Sequence, residues 1–313
     1  MRPRIVHLQQ EMVLDERYRL ARQLGKGSMA EVWAAHDDHE GRPVAIKVVA
    51  EILAPSEQAR LRFDREVQAV GSIHHPNVVA LLGHGVLGDG RSYLVMELVE
   101  GRSLAEYLEE HPRLGAFSTL ALAVQILDGL HAAHELGIIH RDIKPANIFL
   151  ARLPTGRRQV KILDFGVALV VDLSQDPEER LTRTGAILGS PRYMSCEMAR
   201  GATEIDARSD VFGVGAVMYH ALTGAPPFDG ETLGEVMTMI VAHDIAPLRE
   251  ARPDIPESLA ACVERALAHE PADRYASARE MREAVQSELL LVQPTVGDGY
   301  GEVSTGFRGP RAP

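Results

Sequence analysis

The chain has 313 residues, 45% hydrophobic and 25% charged, an ordinary globular composition with length enough for two domain-sized units. Its 33 basic and 44 acidic residues leave a net charge of −11, which argues against a general nucleic-acid binder and against an anionic-membrane binder. Cys196 and Cys262 are the only cysteines and neither has a near neighbour that makes a metal or redox motif, which fits a reducing compartment better than a disulfide framework.

The first 16 residues carry early arginines but no apolar h-region, so no signal peptide is read there. No run reaches the roughly 18 apolar residues of a membrane helix; the longest candidate is 211–221. A cytoplasmic chain with no membrane span is expected. Residues 1–17 are polar and aperiodic, a leader or a packing strap.

A strand is predicted over 18–24, then the turn Gly25-Lys26-Gly27-Ser28-Met29-Ala30, then an extended run over 31–35. Glycines let main-chain N–H groups approach phosphates closely, although a plain β-hairpin reads the same way. A Walker A loop is excluded because no Gly-Lys-Ser/Thr follows four residues after a first glycine. Pro43-Val44-Ala45-Ile46-Lys47-Val48-Val49 is a β-branched strand with one lysine at its middle. A lysine there is costly unless paired, so an acid on the next helix, 57–73, is expected to meet it; the alternative is a lysine that snorkels to solvent.

His74-His75-Pro76-Asn77 ends that helix. Adjacent side chains diverge, so the two histidines read as loop residues rather than metal ligands. Strands over 78–82 and 92–98 flank a turn region at 83–90. Helices follow over 104–109 and 117–137, the second apolar enough to be central; His131 and His134 on it read as surface or packing residues.

The densest chemistry is His140-Arg141-Asp142-Ile143-Lys144-Pro145-Ala146-Asn147, followed by strands 148–150 and 160–163 and by Asp164-Phe165-Gly166. Burying so many polar groups without partners would cost roughly 1–3 kcal/mol each, which points to a charged ligand. Transfer of a terminal phosphoryl group needs metal ions, a carboxylate for the attacking hydroxyl, and cations against developing charge. Asn147 and Asp164 are hard oxygen donors suited to Mg²⁺. Asp142 is then free to act as base, and Lys144 to neutralise the group in flight.

With these motifs in this order the chain resembles the protein-kinase superfamily, specifically the eukaryotic-like serine/threonine kinases of bacteria. The resemblance implies an α+β bilobal fold: an antiparallel β-sheet lobe with one main helix, residues 18–99 with the hinge, and a mostly helical lobe, residues 100–288. It implies ATP as the phosphoryl donor, Mg²⁺ or Mn²⁺, and protein substrates with Ser/Thr acceptors. Lys47 would hold the α- and β-phosphates and Glu66 would hold Lys47; only the family spacing selects Glu66 over Glu51, Glu57 and Asp64. The nucleotide would be framed by Leu24, Gly25, Lys26, Gly27, Ser28, Met29, Ala30, Glu31 and Val32, with Ala45 and Met96 at the adenine and a hinge at Glu97-Leu98-Val99. Ala30 replaces the third glycine of the family's loop, a packing position where alanine is tolerated.

Residues 164–197 form a long segment of the kind that is uncommon unless functional. It ends Ser195-Cys196-Glu197, keeping the family's glutamate and losing its proline. Thr182 or Thr184 is expected to be autophosphorylated, through a transient kinase homodimer, with Arg141 receiving the phosphate; a solvated Thr/Arg loop is the alternative. By resemblance Asp210 anchors the catalytic-loop backbone and Arg274 pairs with Glu197. Helices are expected over 211–219, 233–243, 259–269 and 277–291, and from about residue 289 a disordered tail. A pseudokinase would lack Lys47, Asp142 or Asp164, and a small-molecule phosphotransferase would need neither Lys144 nor the long segment.

Overall fold

The computed structural model describes residues 6–27, 30–49, 57–165, 191–202 and 204–292, with side chains of the first helix only from residue 64. Ser28, Met29, Gly166, Thr182, Thr184 and most of the expected tail therefore lie outside the described residues. Among the described residues, one compact unit takes those up to His75 together with Val79–Glu100, and a second takes Pro76–Val78, Gly101–Phe165 and those from Pro191 on.

In the first unit β1 (Val13–Leu14), β2 (Tyr18–Lys26), β3 (Ala30–Asp37), β4 (Arg42–Val49), β5 (Leu81–Val86) and β6 (Ser92–Glu97) form one antiparallel sheet in the order β1-β2-β3-β4-β6-β5. Side chains alternate along a strand, and Tyr18, Leu20, Trp33, Ala35, Val44, Ile46, Val48, Tyr93 and Val95 make a single buried cluster. The helix α1 (Glu57–Gly71) lies against β5.

Of the two readings for the N-terminus, the strap describes residues 6–17. Leu8 and Met12 pack on the core cluster and Leu14 belongs to it. The Val6 amide donates to Asp89 Oδ2 at 2.8 Å, and the Val6 carbonyl accepts from the Arg91 guanidinium.

The fourth expected strand is displaced. Residues 81–86 form β5, whereas Val78 makes only an isolated bridge, to Ile162. Gly83 and Gly85 are thus strand residues, and Gly85 has a packing reason: a Cβ there would lie 2.4 Å from the Tyr93 ring. The turn is confined to 87–91, where Asp89 Oδ1 accepts from the Arg91 amide.

The second unit is built on two buried helices, α3 (Ala116–His134) and α5 (Arg208–Thr223), with α9 (Ala278–Leu291) against α3. By length and composition α3 could cross a membrane, but 72% of its most apolar window is buried. Among the described residues this helix, rather than 211–221, is the one long and apolar enough for such a span; its lack of a polar face is that of a core helix.

The remaining helices are α2 (Leu104–Glu110), α4 (Cys196–Ala199), α6 (Leu233–Ala242), α7 (Leu248–Ala251) and α8 (Glu257–Ala266). Ser103 and Glu106 cap α2 reciprocally. A small sheet of β7 (Gly101–Ser103), β8 (Ile148–Arg152) and β9 (Arg158–Ile162) lies beside α2 and α3. β7 escapes a reading by periodicity because three residues carry none. α9 runs to Leu291, beyond the expected end of the domain at 288.

Candidate active site

On the sheet unit, strand register gathers the predicted nucleotide residues. Val32 pairs with Lys47 and Lys47 with Leu94, while Ala34 pairs with Ala45 and Ala45 with Met96. Paired residues share a face, so Val32, Ala45, Lys47 and Met96 stand together on the face opposite Val44, Ile46 and Val48 of the core cluster. Lys47 is half-buried, as is Glu66 on α1.

The β2–β3 turn is closed by the Gly27 amide donating to the Ala30 carbonyl at 2.9 Å. A Cβ at Gly25 would meet nothing within 4 Å, and one at Gly27 only the Ala30 carbonyl oxygen at 3.9 Å. Packing among the described residues therefore gives no reason for glycine at either position, as expected where a ligand needs the backbone bare. The side chains of Lys26 and Glu31 meet each other, at 2.9 Å, which holds the Glu31 carboxyl below its ordinary range. Leu24 is exposed and Val99 half-buried in the irregular stretch after β6. Glu97 bends back, its Oε1 accepting from the Ala80 amide at 2.9 Å.

In the helical unit, residues 140–147 are held from three directions. Asp210, 1% exposed in the first turn of α5, accepts the His140 amide through Oδ2 at 2.8 Å and the Arg141 amide through Oδ1 at 2.7 Å. The His140 ring, fully buried, donates from Nε2 to the Leu163 carbonyl at 2.8 Å, accepts the Asp142 amide on Nδ1 at 3.2 Å, and packs edge-on against Phe165. These partners place its proton on Nε2. From below, Ile143 sits on Gly213, where a Cβ would come within 2.8 Å of the Ile143 Cβ.

The consequence appears at Asp142. Its carboxylate takes Lys144 Nζ at 2.9 and 2.7 Å and the Asn147 Nδ2 at 2.9 Å, and its carbonyl takes the same amide at 2.8 Å. With Nδ2 committed, Oδ1 is the remaining polar atom of the Asn147 side chain. The Asn147 carbonyl accepts the Leu163 amide at 2.9 Å, which ties the loop to the residue before Asp164. Arg141 and Asp164 both take left-handed backbone, with φ of 65° and 62°; such residues cost about 1–3 kcal/mol and persist where the surroundings over-determine them. The Arg141 Nε is buried without a partner among the described residues.

Beyond the loop, Arg274 is fully buried and clasps Glu197 with both Nη atoms, at 2.7 and 2.9 Å, while Ser209 Oγ donates to Glu197 at 2.7 Å. Burial pushes the Glu197 carboxyl up, but the bonds from Arg274 and Ser209 outweigh it and bring it down to about 2. Cys196, at the position of the lost proline, places Sγ 3.2 Å from His269 Nε2, and burial pushes its thiol up. Cys196 and Cys262 are both free and buried.

Sequence reasoning missed His134, whose Nε2 lies 2.8 Å from Asp210 Oδ2. It missed Gly213 and Ser209 as well. No local pattern marks any of the three, because each acts through a contact far along the chain.

A backbone held in this way, with a lysine on one strand face and an aspartate, a lysine and an asparagine on one loop, is that of a phosphotransferase of the protein-kinase class. The chain belongs to the protein kinase family: the model of the protein kinase domain matches residues 18–290. Among its relatives is the probable serine/threonine-protein kinase PknB of Corynebacterium glutamicum, 40% identical over 276 residues, 86% of this chain and 42% of that protein. Another is the serine/threonine-protein kinase pkn3 of Myxococcus xanthus, 36% identical over 278 residues, 88% of this chain and 50% of that protein. The chain therefore spans between two-fifths and half of these relatives' length. The crystal structure of the Mycobacterium tuberculosis PknI kinase domain is similar at a TM-score of 0.71 and 27% identity, covering 90% of this chain and all of that one. The expected kinase fold, an antiparallel sheet lobe and a helical lobe, is thereby borne out.

Proposed function

We propose that this chain transfers the γ-phosphoryl group of ATP to serine and threonine hydroxyls of protein acceptors. The observation that carries the reading is the Asp142 carboxylate, gripped by Lys144 and Asn147 on a loop whose amides are fixed by Asp210. Asp142 accepts the acceptor hydroxyl's proton as the hydroxyl oxygen attacks. Lys144, two residues on, offsets the charge of the phosphoryl group in flight and favours Ser/Thr over Tyr as acceptor.

Asn147 Oδ1 and the Asp164 carboxylate suit Mg²⁺, with Mn²⁺ an acceptable substitute, because such ions take oxygen ligands and keep several waters. Among the described residues no group of three or more His, Cys, Asp or Glu forms a cation cage, so substrate phosphates would complete the coordination. When bound, the ion would supply positive charge against the charge that develops on the phosphoryl group. On the sheet unit Lys47 holds the α- and β-phosphates and is itself held by Glu66. The bare Gly25 and Gly27 backbone covers the phosphates, Val32, Ala45 and Met96 line the adenine, and the main chain at Glu97 and Val99 reads its edge.

Residues 18–288 are read as the catalytic domain, with the lobe boundary at 99/100. Thr182 or Thr184 is autophosphorylated within a transient pair of chains and docks on Arg141, whose Nε, unpartnered among the described residues, supports the assignment. A phosphate of about −1.5 to −2 charge makes one to three charge-assisted bonds there.

The test is incubation with labelled ATP, Mg²⁺ and a generic protein acceptor, followed by phosphoamino-acid analysis. Phosphoserine and phosphothreonine are expected from the wild type, and none above background from Lys47→Ala. Label in neither would identify a pseudokinase, and label on small-molecule hydroxyls alone would assign another acceptor class.

A further inference from the structure

The phosphotransfer reading uses one face of the six-stranded sheet and leaves the strap of residues 6–17, packed on the opposite face, unexplained. These residues precede the region matched to the protein kinase domain, which begins at residue 18, yet their backbone is closely specified. Glu11, Asp15 and Glu16 take left-handed backbone, with φ of 65°, 49° and 55°, and non-glycine residues hold such angles only where the surroundings impose them. The Glu11 amide donates to the Leu20 carbonyl and the Leu20 amide to the Met12 carbonyl, both at 2.8 Å.

The start of the strap has a seat built for it. Asp89 and Arg91 are 3% and 8% exposed and pair with each other, Arg91 Nε donating to Asp89 Oδ2 at 2.9 Å. The same Oδ2 accepts the Val6 amide at 2.8 Å, and Arg91 Nη2 donates to the Val6 carbonyl. The pair thus reads both polar groups of one residue, as a neighbouring strand would. A buried ion pair is unfavourable unless its remaining donors and acceptors are satisfied, and the Val6 backbone satisfies them.

The end of the strap is fixed nearby. Tyr93, two residues beyond Arg91, donates from its hydroxyl to Asp15 Oδ2, and its ring meets Tyr18 edge-on with centroids 6.3 Å apart. The Tyr18 hydroxyl in turn lies 3.5 Å from the place of a Cβ on Gly83 in β5. β1 and β5 are the two edges of the sheet, so residues 6–15 fasten one edge region to the other, with Leu8, Met12 and Leu14 packed on the core cluster. Side chains alternate along a strand. The strands β4 and β6, which turn Val44, Ile46, Val48, Tyr93 and Val95 into that cluster, therefore turn Ala45, Lys47 and Met96 to the other face. We propose that the strap is a latch on the nucleotide face: seated at Asp89 and Arg91 it fixes the curl of the sheet, and released it weakens nucleotide binding. This deepens the phosphotransfer reading and rests on it.

The test is calorimetric binding of Mg²⁺·ATP to the full chain carrying Leu8→Asp and Met12→Asp, read beside amide hydrogen exchange at Glu11 and Leu20. Coupling between two sites is typically 5- to 150-fold, so nucleotide affinity is expected to fall at least about fivefold while both amides exchange faster. An excess of a synthetic peptide of residues 1–17 should restore affinity to within about twofold of wild type, and the same peptide with both substitutions should not. Unchanged affinity with fast exchange overturns the proposal, as does a loss that the peptide leaves in place. Unchanged exchange overturns it too, because Leu8 and Met12 would then not seat the strap. If the double variant does not fold, Val6→Pro, which removes only the N–H that Asp89 accepts, carries the same comparison of affinity with exchange. Absence of nucleotide binding in the wild type would remove the phosphotransfer reading and this coupling together, whereas a binding wild type beside an unaffected variant removes the coupling alone.

Discussion

The two halves of the candidate machinery are held in place by different physics. On the sheet unit Val32, Ala45, Lys47 and Met96 are positioned by strand register, with one apolar face buried behind them. In the helical unit residues 140–147 have no regular register, and their places are set by buried polar side chains, above all Asp210 and His140. A sheet face tolerates side-chain changes as long as its core packs. A loop fixed by a few charge-assisted bonds does not, since each lost bond leaves a buried polar group unsatisfied. Substitutions on the two halves should therefore fail differently, the first in ligand affinity and transfer at intact stability, the second in loop geometry.

The largest effect is expected at Lys47. Lys47→Ala removes the proposed phosphate contact and should lower phosphotransfer at least 100-fold, a scale typical of lost electrostatic stabilisation, with an unchanged circular-dichroism melting profile. A melting point that falls with activity would erase the contrast between the halves.

Next comes the Glu197–Arg274 clasp. Arg274→Ala leaves a buried carboxylate uncompensated and should cost about 3–5 kcal/mol in urea denaturation. The same pair sets an acid limit. Because the Glu197 carboxyl sits at about 2 in the folded chain, against an ordinary 4.5, its contribution is present above about 4.5 and is lost as pH falls toward 2. Glu197→Gln should flatten that part of the stability–pH curve, and an unchanged curve would remove the assignment.

Gly213→Ala pushes a methyl into Ile143 and, as an overpacking change, should cost about 1–3 kcal/mol while slowing phosphotransfer more than that loss of stability explains. Smallest is Ser103→Ala at the α2 cap, expected to cost about 0.5–2 kcal/mol with no change in kcat. Unequal outcomes at these two sites would sharpen the distinction between a residue under the loop and one remote from it.

Much of this molecule was legible from residues alone, and where legibility stopped has a physical reason. The strand around Lys47, the helix carrying Glu66 and the central helix from Ala116 announce themselves through local period and composition. Asp142, Lys144, Asn147 and Asp164 stand out because their polar density does not suit a core. β7 is too short to show a period, and the misplaced strand at 81–86 reflects Gly83 and Gly85, which read as turn, whereas Gly85 here serves packing under Tyr93. The packing reading of His134 stands, but its partner Asp210 is 76 residues away, and a histidine on an apolar helix gives no local sign of what it meets.

The central claim is that Asp142 acts on the acceptor hydroxyl rather than on the nucleotide. Its most direct test is single-turnover transfer by Asp142→Asn, measured beside calorimetric binding of Mg²⁺·ATP to the same protein. The account predicts nucleotide affinity within about twofold of wild type and a transfer rate lower by roughly 10²–10⁴. Transfer at the wild-type rate, or a loss matched by an equal loss of nucleotide binding, would contradict it.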